Sequence, residues 1–243
     1  MSRWKIVVAP DCAEHQPFIG QLPGLLAEGQ GQVVYDKRNR VVSFDNMGQT
    51  LMVKCFKRVN AIQSIAYTCW RQSKAERAYL YAGEFRRRGI DTPQPIAYLE
   101  QYSCGLFTTG YFVSQAVEGT ETHLLLREVK DYDPRLADAV AKQVVDMHSK
   151  GILHGDLNLS NFLCTERDGH YHFAMIDTNR SRFCDGWPTY EECLQNLVRT
   201  THRRDLYEYL VGSYARQRGW DVQLAVSHAL GLLDKFENRR FRL

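Results

Sequence analysis

The sequence predicts an α+β protein of two lobes, a small antiparallel β lobe carrying one main helix followed by a mostly helical lobe. Three observations carry this. Between Gly31 and Phe56, β-branched runs alternate with Asn, Asp and Gly turns; two further strand-like runs follow a helix; and beyond Glu118-Gly119 the pattern turns helical. The predicted lobes are residues 1–117 and 118–243. At 243 residues and 44% hydrophobic, the chain is long enough to bury a sizeable core in this arrangement.

The first lobe reads GQVVY, VVSFD and TLMVKCF as a meander, joined by DKRNR and NMGQ. An amphipathic stretch, NAIQSIAYTCWRQ, leads to a clearer helix, SKAERAYLYAGEFRRR, stopped by Gly89. PIAYLEQY and GLFTTGYFVSQAV supply the fourth and fifth strands. Trp4, Ile6, Val7 and Val8 suggest a further strand extending this sheet, and residues 1–28 receive no function. In the second lobe Asp133-Pro134 is an N-cap and first-turn pair. Leu136, Ala137, Val140, Ala141, Val144, Val145 and His148 mark one helical face ending at Gly151. A hairpin, NFLCTE and HYHFAMID about RDG, precedes helices over Thr189 to Arg218 and Asp221 to Glu237.

Composition excludes several classes. No apolar run approaches the roughly 20 residues that cross a bilayer, and MSRWKIVVAPDCAEH meets charge and Pro too early for a secretory segment, so a cytoplasmic location is expected. The seven cysteines are scattered with no CxxC pair, which predicts free thiols. A net charge of +3 is too modest for nucleic acid. The positive charge is nevertheless bunched, in Arg86-Arg87-Arg88 and in the tail from Asn238 to Leu243. The triplet fits a helix C-terminus and the tail a solvated end; contact with an anionic surface or substrate is the sharper alternative, and it suits the tail better than the triplet.

The stretch ILHGDLNLSNFL places His154, Asp156, Asn158 and Asn161 in an apolar frame, where each polar group needs a partner or a purpose. Phosphoryl transfer to a hydroxyl requires a cation on the donor phosphates, oxygen ligands for magnesium and a carboxylate near the attacking hydroxyl. The chain supplies these in order. Lys54 stands in the third strand. Glu76 on the next helix either holds that lysine or caps Ser73 in SKAE, and we read it as facing the cleft. Asp156 is placed to accept the hydroxyl proton, and Asn161 and Asp177 are the metal ligands. His154 is expected to hold the loop backbone. Singly, Lys54 reads as a snorkelling strand residue, Asp156 and Asn161 as loop caps and Asp177 as a turn former. Their joint order argues otherwise.

HGDLNLSN followed by MID resembles the catalytic loop and metal-binding strand of the protein-kinase-like superfamily, in its small-molecule branch. VKCFKRVN, SKAERAYLYAGEFRRRGIDTPQPIAYLE, YFVSQAVEG and GILHGDLNLSN more specifically resemble the lipopolysaccharide core kinases of the Kdo/WaaP family, over roughly Gly29 to Arg182. Protein kinases usually carry Arg where Gly155 stands and Lys where Asn158 stands. The resemblance implies a protein-kinase-like fold using ATP and Mg2+ to phosphorylate a Kdo or heptose hydroxyl. The acceptor would be an anionic glycolipid at the cytoplasmic face of the inner membrane, with peripheral membrane contact. Adenine would lie against a hinge at Ser114, Gln115, Ala116 and Val117. The turn Asp36 to Arg40 lacks the phosphate-covering glycines of protein kinases; its cations substitute for them, or the turn is a solvated hairpin. Asn179 replaces the glycine of the DFG-like triplet and no APE-like segment follows, which argues against a phosphorylation-regulated activation loop. Two rivals remain: a phosphotransferase for an aminoglycoside-like or choline-like acceptor, against which the basic run at Arg199, His202, Arg203 and Arg204 speaks and for which Asp185, Glu191 and Glu192 do, and a nucleotide-binding scaffold without catalysis.

Overall fold

The computed structural model describes residues 2–37 and 39–240. They form two compact units, one running to Arg87 and resuming at Thr92–Val117, the other comprising Arg88–Asp91 and the chain from Glu118 onward.

The first unit is a six-stranded antiparallel sheet. Its strands are β1 (Ser2–Val8), β2 (Gln32–Asp36), β3 (Arg40–Asn46), β4 (Gln49–Cys55), β5 (Pro95–Ser103) and β6 (Leu106–Gln115), in the order β1-β5-β6-β4-β3-β2. The five strands expected from the meander and its continuation are present, and the suggested N-terminal strand makes a sixth by pairing with β5, Lys5 opposite Glu100 and Val7 opposite Tyr98. Helix α1 (Gln16–Ala27), in a region that the sequence left without a role, places Ile19 and Leu22 in a core with Leu51, Val53, Ala97, Leu99 and Val113. Alternation along the strands sends their neighbours to the opposite face, where α3 (Lys74–Arg87) packs Ala75 and Ala78 on Phe56 and Tyr98. The short α2 (Ala61–Cys69) sits at the start of β6, capped by the Asn60 side chain, which accepts from Gln63 N–H at 2.9 Å.

In the second unit, β7 (Thr120–Glu121) leads into α4 (Thr122–Leu126) and then α5 (Pro134–Ser149), whose N-terminus is capped by Asp133 accepting from Arg135 N–H at 2.8 Å. The buried face of α5 is the expected one, except that Met147 is buried and Val145 only half-buried. Strand β8 (Ile152–Leu153) precedes the loop from His154, and β9 (Phe162–Arg167) and β10 (His170–Met175) form the predicted hairpin. Beyond β11 (Arg182–Phe183), the single helix expected to Arg218 is two, α6 (Tyr190–Leu197) and α7 (Arg204–Gln217), and α8 (Val222–Arg240) follows. The break has a purpose: the Thr200 carbonyl, turned out of helical bonding, accepts the Leu159 N–H at 3.2 Å.

The arginine triplet closing α3 is structural in two of its members. Arg86 donates to the Thr92 carbonyl, and Arg88 to the carbonyls of Lys150, Gly151 and Cys184, while Arg87 forms an exposed pair with Glu84. Of the basic tail, residues 241–243 lie outside the described residues.

Close approach of α3 to the sheet depends on Gly110, where a Cβ would stand 2.8 Å from the Ala75 Cβ and 3.3 Å from the Leu99 carbonyl. Gly110→Ala is expected to cost about 1–3 kcal/mol. Adding Ala75→Gly removes the overlap at the cost of about 1 kcal/mol of helix propensity. Thermal or urea unfolding of the two single variants and the double should therefore show a double less destabilised than the sum; strict additivity would mean that the helix simply shifts.

Candidate active site

Within the first unit, register fixes which side chains share a face. Lys54 lies opposite Phe112, Phe112 opposite Tyr98, and Tyr98 opposite Val7, so Lys54 projects on the side of the sheet that α3 covers. Its Nζ stands 5.6 Å from the Phe56 ring centroid. Glu76 reaches the same face from the first turn of α3. The helix does start at Ser73, whose Oγ accepts the Glu76 N–H at 3.1 Å, so half of the capping box is present. The carboxylate, however, accepts from Lys5 Nζ at 3.5 Å and Tyr98 Oη at 3.2 Å.

Lys5, which sequence reasoning missed, stands beside the candidate Glu76. It pairs also with the buried Glu100 at 3.2 Å and lies 5.0 Å from the Tyr98 ring centroid. Burial opposes its charge, but Tyr98, Glu100 and Glu76 outweigh that and hold its ammonium above the ordinary lysine range. Only the strand register could have disclosed it.

Ser114 and Gln115 end β6, and Ala116 and Val117 follow. The N–H groups of Gln115 and Ala116 donate to the carbonyls of Gln94 at 3.0 Å and Thr50 at 2.8 Å, so neither is open to an adenine edge. In the turn between β2 and β3, Arg38 lies outside the described residues.

The second unit assembles Asp156, Asn161 and Asp177 on two adjoining loops. His154 is completely buried. Its Nε2–H donates to the Ile176 carbonyl at 3.0 Å, and its Nδ1 accepts the Asp156 N–H at 3.2 Å, which defines one neutral tautomer. Burial holds its pKa below the usual imidazole value, so it anchors the loop as an uncharged ring. Asn161 donates its amide NH2 to the Asp156 carbonyl at 2.7 Å, turning its Oδ1 the other way, and its own carbonyl accepts the Ile176 N–H at 2.9 Å. Asp177 adopts a left-handed backbone, φ 59°, and its Oδ1 accepts from Asn179 Nδ2 at 2.9 Å. Asn179 thus holds the aspartate that a glycine at that place could not. Gly155 is equally specific: a Cβ there would lie 2.0 Å from the Arg180 carbonyl, so no other residue fits where protein kinases carry Arg. Asn158 caps the turn by accepting the Ser160 N–H at 2.9 Å.

Behind this loop runs a buried polar chain absent from the sequence reading. Asn196 on α6 donates to the His154 carbonyl at 2.8 Å, and its Oδ1 accepts from His148 Nε2 at 3.1 Å. His148 Nδ1 then accepts from Tyr214 Oη at 2.8 Å, to which Arg218 donates at 2.7 Å. Every link has one consistent direction, and only a neutral His148 permits it.

One oxygen-bearing amide and one carboxylate suit a hard cation that completes its shell with phosphate and water oxygens, as Mg2+ does. Among the described residues no three His, Cys, Asp or Glu side chains gather into a metal cage. In the basic run from Arg199 to Arg204, Arg203 pairs with Asp205, Arg204 with Asp234 and Glu237, and His202 lies against Glu237, while Arg199 stands over the Phe236 ring.

The model of the lipopolysaccharide kinase (Kdo/WaaP) family matches residues 59–208, a stretch holding Glu76, Asp156, Asn161 and Asp177. Two proteins named 3-deoxy-D-manno-octulosonic acid kinase, from Vibrio vulnificus strains CMCP6 and YJ016, are each 22% identical. The matches cover 62% and 56% of this chain and 67% and 56% of those proteins. The solved structure of WaaP in complex with acyl carrier protein superposes with a TM-score of 0.62 over 98% of both chains, at 18% identity, and shows the shared fold.

The buried histidines impose a pH dependence. Burial, with Arg218 nearby, lowers the His148 pKa from 6.5 to about 4. The unfolded chain therefore binds the proton first, and stability is complete above pH 6.5 and declines as pH falls towards 4, by about 3 kcal/mol for this residue. His154 acts with the same sign. Unfolding free energies measured across this window should fall less steeply in His148→Gln than in the wild type; an unchanged slope would place the linkage on other groups.

Proposed function

Because the chain belongs to the lipopolysaccharide kinase (Kdo/WaaP) family, we propose that it transfers the γ-phosphoryl group of ATP to a sugar hydroxyl, of Kdo or heptose, in the inner core of lipopolysaccharide. The observation that carries this reading is the loop around Asp156. Its backbone is fixed on one side by the neutral His154 and on the other by the Asn161 amide, which leaves the carboxylate to meet a substrate. The names of the two curated relatives favour Kdo as the acceptor.

In this mechanism Asp156 orients the acceptor hydroxyl and takes its proton as that oxygen bonds to the γ-phosphorus and the bridging bond to the β-phosphate breaks. Asn161 Oδ1 and the Asp177 carboxylate would hold Mg2+, which when bound neutralises charge on the donor phosphates. Asn161 and Asn179 supply the orientation, since each spends its NH2 on fixing a ligand-bearing loop. Lys54 positions the donor phosphates. Glu76 acts with Lys5 to shape the charge on that face of the sheet, and Ser114 to Val117 border the adenine. The acceptor is an anionic glycolipid, met at the cytoplasmic face of the inner membrane. No helix among the described residues is long and apolar enough to cross a membrane, which is consistent with contact from one side.

Transfer of labelled γ-phosphate from ATP with magnesium to Kdo-lipid A tests the reading. Wild-type incorporation should fall by about 10²–10⁴-fold in Asp156→Ala, the usual contribution of a positioned base. Asn161→Ala and Asp177→Ala should raise the magnesium requirement. Labelling of aminoglycosides or choline in place of the glycolipid would overturn the assigned acceptor, and nucleotide binding with no transfer to any acceptor would overturn catalysis itself.

A further inference from the structure

Helix α2 is built inside out. The side that meets β6 is largely polar: Ser64 is buried and donates to the Phe107 carbonyl, and Thr68 Oγ1 accepts the Phe107 N–H at 2.9 Å while donating to the Ser64 carbonyl at 2.7 Å. The Tyr67 ring packs edge-on against Phe107. The solvent side carries the apolar residues at helical spacing, Ile62, Ile65 and Cys69, followed directly by Trp70. Ile62 is 80% exposed, Trp70 76% and Ile65 46%. An amphipathic helix of a water-facing surface has the reverse arrangement.

Charge along this stretch of the sequence is of one sign. No Asp or Glu occurs from position 46 to position 75, whereas Lys57 and Arg58 before the helix and Arg71 after it are exposed cations. A protein-binding core is typically depleted of lysine and bordered by both signs of charge. Exposed Ile and Trp flanked by cations, in a stretch of sequence without carboxylates, match the boundary between anionic headgroups and acyl chains. There Trp sits with one polar edge, and Lys and Arg meet phosphate.

We propose that α2, with Lys57, Arg58 and Arg71, docks this protein on an anionic phospholipid surface, Ile62, Ile65 and Trp70 entering the headgroup boundary. The purpose of such docking rests on the proposed lipid-borne acceptor, but the docking is measured without turnover. Sedimentation with vesicles of phosphatidylcholine, alone or mixed with phosphatidylglycerol, should show association with the mixed vesicles that weakens as salt rises. Ile62→Glu with Ile65→Glu, and separately Arg58→Glu with Arg71→Glu, should each lower partition by about tenfold or more. A vesicle-induced blue shift of tryptophan emission should be lost in Trp70→Phe. These side chains are exposed, so melting curves should match the wild type, and transfer to free Kdo, a water-soluble acceptor, should be unchanged. Failure to label any sugar while vesicles are still bound would sink the proposed function and leave the docking standing. Absence of vesicle binding, or binding indifferent to these substitutions, overturns the docking. So does saturable binding of an acidic protein, such as acyl carrier protein, with no vesicle association.

Discussion

A neutral imidazole, sealed from water between the Ile176 carbonyl and the Asp156 N–H, fixes the position of every candidate catalytic group in the second unit. With both ring nitrogens committed, His154 ties the loop of Asp156 to the strand end that delivers Asp177. Asn161 repeats the tie from the other direction, through its side chain to the Asp156 carbonyl and its backbone to Ile176. Such a network tolerates little. Loss of one partner leaves a buried polar atom unsatisfied, at about 1–3 kcal/mol. Protonation of the ring would remove the acceptor that Asp156 needs. The chain through Asn196, His148, Tyr214 and Arg218 extends the same logic to α5, α6 and α7, so that the loop is mounted on the helical core.

In the first unit the equivalent constraint is parity. Residues that pair across β1, β5, β6 and β4 share a face, so Lys54, Tyr98 and Lys5 all lie beneath α3. Gly110 lets that helix settle on the sheet, and Glu76 enters from its first turn. Glu76 shares Lys5 with the buried Glu100 and accepts from Tyr98, a more crowded polar layer than a single lysine–glutamate pair. Helix α1 closes the opposite face with aliphatic side chains.

Charge is distributed by use. Arg86, Arg88 and Arg203 spend their guanidinium groups on backbone carbonyls, which arginine's planar fork satisfies several at a time, and Arg204 on two carboxylates. Clusters that read as basic in one dimension are thereby committed to holding segments together. The cations bordering α2 have no acidic neighbour in sequence, and that difference singles out its outward apolar side.

Legible in one dimension were the meander and its turns, the Asp133 cap and apolar face of α5, the β9–β10 hairpin, and the loop that carries the catalytic and metal-ligand candidates. In each, local chemistry suffices: turn residues, strand alternation and short-range polar spacing act within a dozen residues. It could not show that Lys5 meets Glu76, a pairing across 71 positions, because strand register depends on the whole sheet. Nor could it place Asn196 behind His154, or foresee the break after Leu197 that frees the Thr200 carbonyl, since no Gly or Pro marks it. Gly155 and Asn179 were visible as departures from the protein-kinase pattern, yet only the close approach of Arg180 and the left-handed Asp177 explain them. Periodicity likewise marked α2 as amphipathic without saying which side faces the protein; hydrogen bonding of Ser64 and Thr68 to Phe107 decided that, because a buried strand end needs polar partners more than it needs apolar contact.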